Sequence, residues 1–308
     1  MTRGPYTVHL PGLPERVTIY EVGPRDGLQN EKAVVPLDVK VEFLARLAEA
    51  GLTTIEATSF VHPKWVPQLA DADELLARMK PVPGVRYPVL VPNERGLDRA
   101  LDRGVTEIAI FGSATETFAQ RNLNRSIAGS IEMFAPVVER ALKAGMRVRA
   151  YLSMCFGDPW EGPTPIEQVV AVGRELLELG CYELSLGDTI GVGTPGHVAA
   201  LIAAFEERGV EAERLAVHFH DTYGQALANT LAALRCGVTV VDASAGGIGG
   251  CPYAESATGN LATEDLVWML HGLGIETGVD LGSLARTSLW LAERLGRPSP
   301  SRVVQALA

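Results

Sequence analysis

The sequence predicts a (β/α)₈ barrel, and three observations lead to that fold class. Short apolar runs alternate with longer stretches of helical periodicity along most of the chain. These pairs number eight, which is the count of this barrel. No composition break interrupts the 308 residues, a length that suits one such domain. We therefore expect a single domain over residues 1–308, with the barrel at about 15–275 and a helical appendage at about 276–308.

The predicted strands are the short apolar runs, and each is followed by a predicted helix. The strands lie at 17–22, 53–58, 87–91, 107–111, 147–152, 183–186, 215–219 and 239–243. The helices lie at 37–50, 67–79, 94–103, 129–144, 165–179, 196–208, 224–236 and 263–273, with an additional helix near 280–295. An open doubly wound sheet is the alternative, but the turn GPRDG at 23–27 does not match the glycine pattern of that fold.

Capping residues mark several helix ends. In TPIEQ, Thr164 is a candidate N-cap, Pro165 suits the first helical position, and Glu167 would complete a capping box. Gly180 would supply the left-handed residue after the same helix. Other helices would end in the same way at Gly51, Gly104 and Gly237.

Charge and cysteine content narrow the partners and the compartment. The net charge is −10 and no Lys/Arg run occurs, so the sequence favours neither nucleic acid nor an anionic membrane as a partner. No apolar run reaches the roughly 18 residues of a membrane span. The N-terminus lacks the apolar region of a secretory signal. Four scattered cysteines suit neither a disulfide framework nor a zinc ribbon. We expect a reduced cytoplasmic protein.

Polar residues collect where the predicted strands end. Active sites of (β/α)₈ barrels lie at the C-terminal ends of the strands, so these residues are the candidates for function. They are Arg25 and Asp26 after the first strand, Glu56 near the end of the second, Asp188 after the sixth, His218 and His220 at the end of the seventh, and Asn260 after the eighth.

The sequence His218–Phe219–His220 predicts a metal site. Residues two apart on a strand project from the same face, so both imidazoles can bind one ion. An aspartate and an amide side chain among the rim residues would add a carboxylate and an amide oxygen. This mixed set suits Mg²⁺ or Mn²⁺ better than a closed structural zinc site. Ordinary polar residues at a barrel rim are the alternative.

Each remaining candidate also has a structural interpretation. Asp26 could be only a turn residue or an N-cap, with Arg25 as its salt-bridge partner. Glu56 could form an ion pair with Arg25 or take part in catalysis, and Asp188 could cap a helix.

A glycine-rich loop provides a further candidate. Gly246, Gly247, Gly249 and Gly250 lead directly into Cys251, which predicts a flexible segment that carries a thiol to the barrel mouth. Cys251 is therefore a candidate acid, base or nucleophile, although a plain linker has the same composition. Buried or nearly buried packing roles are expected for Cys155, Cys181 and Cys236.

Long ordered motifs resemble the 3-hydroxy-3-methylglutaryl-CoA lyase family of metal-dependent (β/α)₈ enzymes. The motifs are EVGPRDGLQNEK, IEATSFVHPKWVPQLAD, LGDTIGVGTPG, AVHFHDTYGQALANTLAAL, GGCPY and ATGNLATED. The resemblance covers nearly the whole chain. One departure lies in YLSMCFGDPWEG, where Asp158 stands at a position that often holds a cysteine.

The resemblance implies roles for the candidate residues. A divalent cation, Mg²⁺ or Mn²⁺, would be held by Asp26, His218, His220 and Asn260. Arg25 would stabilise the enolate oxygen, and Cys251 would be catalytic. Further positions that the family uses around the site are Glu56, Asp188 and Glu264.

The resemblance also implies a reaction and partners. Family members cleave their CoA thioester to acetyl-CoA and acetoacetate and commonly form homodimers. The Asp158 segment leaves open a substrate with a longer branch at C3.

Three competing functions are a Claisen-type synthase or aldolase, a non-haem iron oxygenase and a non-catalytic barrel. Candidate cations for the CoA tail are Lys32, Lys64, Arg121 and Arg125.

Overall fold

The computed structural model describes residues 4–250 and 259–308, and its centre is a sheet of eight parallel strands. The strands are Thr18–Glu21 (β1), Thr58–Ser59 (β2), Val89–Leu90 (β3), Glu107–Ser113 (β4), Arg147–Ser153 (β5), Glu183–Asp188 (β6), Leu215–Phe219 (β7) and Val240–Ala243 (β8). Their order in the sheet is β1-β8-β7-β6-β5-β4-β3-β2.

Backbone hydrogen bonds close this sheet into a barrel. The Glu21 amide donates to the carbonyl of Thr54 at 3.0 Å, and the Glu56 amide donates to the carbonyl of Glu21 at 2.9 Å. The segment that leads into β2 therefore pairs with β1. The predicted (β/α)₈ fold is confirmed.

Helices surround the barrel and extend it at the C-terminus. They are Leu37–Glu49 (α1), Ala72–Arg78 (α2), Glu94–Asp102 (α3), Glu116–Leu123 (α4), Ile127–Lys143 (α5), Ile166–Glu178 (α6), Pro195–Glu207 (α7), Ala226–Arg235 (α8), Thr263–Gly272 (α9), Leu281–Leu295 (α10) and Arg302–Leu307 (α11). None of the helices in the described part of the chain has the length and hydropathy of a membrane span.

Alternation along the strands separates an apolar core from a polar barrel interior. On β5, Val148, Ala150 and Leu152 are buried in the apolar core that the strands share with the helices. Inside the barrel, the intervening Arg149 contacts Asp242 on β8, and Tyr151 contacts Glu56 in the segment before β2. This period of two places ionisable groups on the barrel axis and leaves the outer face apolar.

The second and third predicted strands are reduced to two residues each. In the segment 53–57, Thr54 and Ile55 form only isolated bridges, with Arg86 and Glu21 respectively, and β2 begins at Thr58. The predicted strand 87–91 is reduced to β3, which Pro88 and Pro92 enclose. Proline has no amide hydrogen to donate, so it limits regular pairing.

Three elements were not predicted, and one cap prediction was wrong. Helix α4, helix α11 and a short antiparallel hairpin of Gly157–Asp158 with Gly162–Pro163 are additional. Helix α6 begins at Ile166 without a side-chain cap. The Thr164 hydroxyl instead donates to the carbonyl of Met154 at 2.7 Å, so it holds the loop after β5.

Glycines end the predicted helices in the left-handed region. Gly51 has φ = 96° and Gly104 has φ = 68°. A Cβ atom at Gly51 would lie 2.2 Å from the carbonyl oxygen of Gly278, whereas no atom lies within 4 Å of one at Gly104. The end of α1 therefore packs against backbone that leads into α10.

These two glycines make a matched test of that packing. We expect Gly104→Ala to lower the free energy of unfolding by about 1–2 kcal/mol, the cost of a side chain in the left-handed region. Gly51→Ala should cost more, because its Cβ would also displace the 278–280 backbone. Urea unfolding of both variants measures the difference, and equal losses would contradict the packing argument.

Candidate functional site

Three predicted ligands meet at the C-terminal end of the barrel. One ligand atom from each of Asp26, His218 and His220 lies within 4.8 Å of the others. Asp26 is held by a single π-helical turn, Gly23–Gly27, whose Asp26 amide donates to the carbonyl of Val22 at 2.7 Å. His218 lies on β7 and His220 directly follows it. The expected convergence of the loops after β1 and β7 is present.

Asn260 lies beside these ligands. Its Nδ2 donates to Asp26 Oδ2 at 2.8 Å and to the carbonyl of Ile248 at 3.1 Å. Its buried Oδ1 has no hydrogen-bond partner within the described residues. A buried acceptor without a donor is costly, and a cation would satisfy it. The carboxylate, the imidazoles and this oxygen fit Mg²⁺ or Mn²⁺.

The electrostatic environment keeps Asp26 ionised. Burial alone would raise its pKa, but Arg25, His218 and His220 outweigh burial and lower the pKa of this carboxyl below its usual value. An ionised carboxylate is the form that binds a cation.

Arg25 is fixed by two carboxylates. Its Nε donates to Glu56 Oε2 at 2.7 Å, and its Nη1 donates to Asp26 Oδ1 at 2.7 Å. The guanidinium also lies 5.3 Å from the ring centre of Tyr151. Both the predicted ion pair with Glu56 and the pair with Asp26 are therefore present. Within the described part of the chain these hydrogen bonds use only Nε and Nη1, which leaves Nη2 for a ligand.

Glu56 lies behind Arg25 and is fully buried. The Tyr151 hydroxyl donates to the same Glu56 oxygen at 3.1 Å. Burial raises the pKa of this carboxyl, and Arg25 opposes that effect. Glu56 is absent from the lining of the cleft described below. Glu56 is therefore placed to orient Arg25 and does not contact the cleft.

Asp188 organises the loop after β6. Its two carboxylate oxygens accept hydrogen bonds from the amides of Val192 and Gly193, each at 2.9 Å. Burial raises the pKa of this carboxyl to about 6, although these amides lower it. A Cβ atom at Gly193 would lie 2.9 Å from Asp188 Oδ2, so glycine permits the close approach. Asp188 lies outside the metal-binding group of the described residues.

A cleft of about 630 Å³ opens from the ligand cluster to the barrel rim. Arg25, Asp26, His218 and His220 line its inner end. Its size is that of a ligand pocket. Apolar side chains that line its wall include Leu90, Phe111, Phe118 and Met133.

Two of the predicted rim cations line the outer part of the cleft. They are Arg121 and Arg125, whereas Lys32 and Lys64 are absent from the lining. Arg121 lies over the ring of Trp160 at 4.3 Å from its centre. The opening therefore carries positive charge within an acidic protein.

Asp158, the departure from the family pattern, points away from the cleft. Its Oδ2 accepts a hydrogen bond from the Thr115 hydroxyl at 2.6 Å, and its Oδ1 accepts one from the Trp160 amide at 2.7 Å. It closes the hairpin after β5 and is not among the lining residues. The Asp158 side chain therefore does not form part of the cleft wall.

Two buried carboxylates hold the start of the glycine-rich loop. Glu21 Oε1 accepts a hydrogen bond from the Ala245 amide at 2.8 Å, and Glu264 Oε2 accepts one from the Gly246 amide at 2.8 Å. Burial raises the pKa of Glu21 to about 7 and that of Glu264 to about 8. Cys251 lies outside the described residues. Its neighbour Gly250 lines the cleft.

The sequence prediction missed the side chains beneath His218. Asp242 on β8 approaches His218 Nδ1 at 3.2 Å, and Arg149 on β5 donates to Asp242 Oδ1 at 2.7 Å. The signal was present as a carboxylate and an arginine within otherwise apolar strands, since such residues are buried only with partners. Their partners come from other strands, so spacing along the chain does not reveal them.

The family model described as HMGL-like matches residues 16–290. Two rat relatives match 96% of the chain. The mitochondrial hydroxymethylglutaryl-CoA lyase is 53% identical, and the match spans 90% of its length. The cytoplasmic 3-hydroxy-3-methylglutaryl-CoA lyase is 50% identical, and the match spans 86% of its length.

Solved structures agree with these matches. The hydroxymethylglutaryl-CoA lyase from Pseudomonas aeruginosa is 50% identical with a TM-score of 0.94, over 96% of this chain and 98% of that one. An HMG-CoA lyase from an Acinetobacter species, solved with coenzyme A and 3-methylmalate, is 35% identical with a TM-score of 0.91, over 97% of each chain. On these matches and the geometry of its barrel, the chain belongs to the HMGL-like family.

Proposed function

We propose that the chain is a divalent-cation-dependent carbon–carbon lyase that cleaves 3-hydroxy-3-methylglutaryl-CoA to acetyl-CoA and acetoacetate. The observation that carries the proposal is the cluster of Asp26, His218 and His220 at the inner end of a cleft, with Arg25 beside it. The names of the relatives support the substrate and favour a lyase over a synthase or aldolase.

The cation would be held by Asp26, His218, His220 and the Oδ1 of Asn260. When bound there, a divalent cation makes a coordinated hydroxyl more acidic. Two carboxylates are candidates to accept the proton of the C3 hydroxyl, Asp26 and Glu56. The position of Asp26 on the cleft wall favours it, because Glu56 lies behind Arg25.

Arg25 is placed to meet the negative charge that develops on the thioester oxygen as the C–C bond breaks. Its carboxylate partners fix the guanidinium before substrate binds, so little reorganisation is needed during the reaction. Cleavage leaves an enolate whose carbon must be protonated. Cys251 is proposed for that role, and its support is that the preceding Gly250 lines the cleft.

The remaining carboxylates have proposed positioning roles. Asp188 would hold the loop after β6, and Glu264 would hold the loop that leads to Cys251. For the CoA part of the substrate, Arg121 and Arg125 are the proposed partners of its phosphates. A longer branch at C3 is no longer favoured by Asp158, since that residue points into the hairpin.

Location and assembly belong to the same proposal. The composition of the sequence favours the cytoplasm, and the family resemblance implies a homodimer. Its relatives carry both mitochondrial and cytoplasmic names, so a fractionation experiment is the measure of location.

We predict that Arg25→Gln lowers kcat about 10²- to 10³-fold, the usual effect of losing one donor to a developing oxyanion. Acetoacetate release measures it. Metal content should stay near that of the wild type, because Arg25 is no ligand. Arg174→Gln is the matched control, since this exposed arginine pairs only with Glu178 on α6 within the described residues. A normal kcat in Arg25→Gln would refute the role of Arg25.

Loss of an imidazole ligand should weaken cation binding. We expect His218→Ala and His220→Ala each to lose stoichiometric Mn²⁺ in a calorimetric titration, because each removes one donor from the cluster. His9→Ala, at an exposed position of the N-terminal segment, is the control and should bind as the wild type does. Full Mn²⁺ occupancy in both site variants would argue against this metal site.

A further inference from the structure

Asp242 lies directly beneath a proposed metal ligand. It is buried on β8, and its Cα is paired in register with that of His218 on β7. Both side chains face the barrel interior, where Asp242 Oδ2 lies 3.2 Å from His218 Nδ1. The contact therefore follows from the strand register, with no loop involved.

Other partners fix the Asp242 carboxylate. Arg149 Nη2 donates to its Oδ1 at 2.7 Å, Arg149 Nη1 donates to its Oδ2 at 3.1 Å, and the Ser185 hydroxyl donates to its Oδ2 at 2.8 Å. The paired guanidinium gives a planar two-point contact that allows one orientation of the carboxylate. Asp242 can therefore face His218 in only one way.

Arg149 is in turn unable to move away. Its side chain is 0% exposed, and its Nε donates to Glu183 on β6. The rings of Tyr20 and Tyr151 lie 4.0 and 4.9 Å from its guanidinium carbon. A continuous chain of contacts thus runs from Glu183 through Arg149 and Asp242 to His218.

This chain of contacts decides which nitrogen of His218 carries the proton. An ionised carboxylate only accepts hydrogen bonds, so the neutral imidazole must donate from Nδ1. Its Nε2 then keeps the lone pair that a metal requires. We propose that Asp242, held by Arg149, is a positioning residue that keeps His218 in the Nδ1–H form with Nε2 turned to the cation. This inference rests on the proposed metal site.

Substitution of Asp242 tests the inference through metal affinity. In Asp242→Asn, the side-chain amide nitrogen meets an N–H donor of Arg149 in either orientation, because both Asp242 oxygens accept from Arg149. The negative charge that holds His218 is also lost. We expect Mn²⁺ affinity, measured by calorimetry, to fall roughly 10- to 100-fold. Asp73→Asn is the matched control, because Asp73 also pairs with arginines, Arg99 and Arg103, but on the surface. The Mn²⁺ affinity of this variant should equal that of the wild type. Equal affinities in a folded Asp242→Asn variant would overturn the proposal.

A second measurement needs no variant of Asp242 and no metal. Nitrogen-15 NMR of the metal-free wild type, at a pH that keeps the imidazole neutral, reports the tautomer of His218. The signal is assigned by its loss in His218→Gln. We expect the Nδ1–H form, and the Nε2–H form would overturn the proposal even if Asp242→Asn fails to fold. If the wild type binds no divalent cation, the proposed function fails, whereas the tautomer still decides this inference.

Discussion

The charge of Arg149, buried inside the barrel, is the constraint on which the geometry of the site depends. A buried guanidinium without partners costs several kcal/mol, so the strands around it must supply carboxylates. Glu183 pairs with Arg149 from the neighbouring strand β6. Asp242 pairs with Arg149 from β8, across the barrel interior. Once Asp242 is fixed by this requirement, the register of β8 with β7 brings His218 onto it.

A second set of paired charges lies above the first. Arg25 is held by Glu56 and Asp26, and the ring of Tyr151 lies between the two arginines, 5.3 Å from one and 4.9 Å from the other. Each arginine faces two carboxylates, so each set carries formal negative charge in excess. A divalent cation at the upper end would balance that excess. The barrel interior thus favours a cation electrostatically as well as through its ligands.

Sequence reasoning located the main strands and the residues at their ends, because short apolar runs mark the strands locally and active sites of barrels lie at the C-terminal ends of their strands. It failed where the chain departs from regular geometry. Thr54 and Ile55 make isolated bridges where the sequence predicts a strand, and the Thr164 hydroxyl donates to the Met154 carbonyl although the local pattern predicts a helix cap. In the motif EVGPRDGLQNEK, the Asn30 side-chain amide donates a hydrogen bond to the Asp26 carbonyl at 3.1 Å, a contact that the local sequence does not predict.

The sequence by itself determined the fold class and placed the polar candidates at the strand ends, and its resemblance to the family implied the ligand set Asp26, His218, His220 and Asn260. The alternation of strand and helix is visible in the sequence, and the ability of a side chain to bind a metal depends on its residue type. Only the tertiary structure decided which partners orient those ligands. Arg149 and Asp242 are 93 residues apart, and Asn260 reaches Asp26 across 234 residues. Such pairings depend on barrel closure and strand register, because both bring distant residues within hydrogen-bond distance.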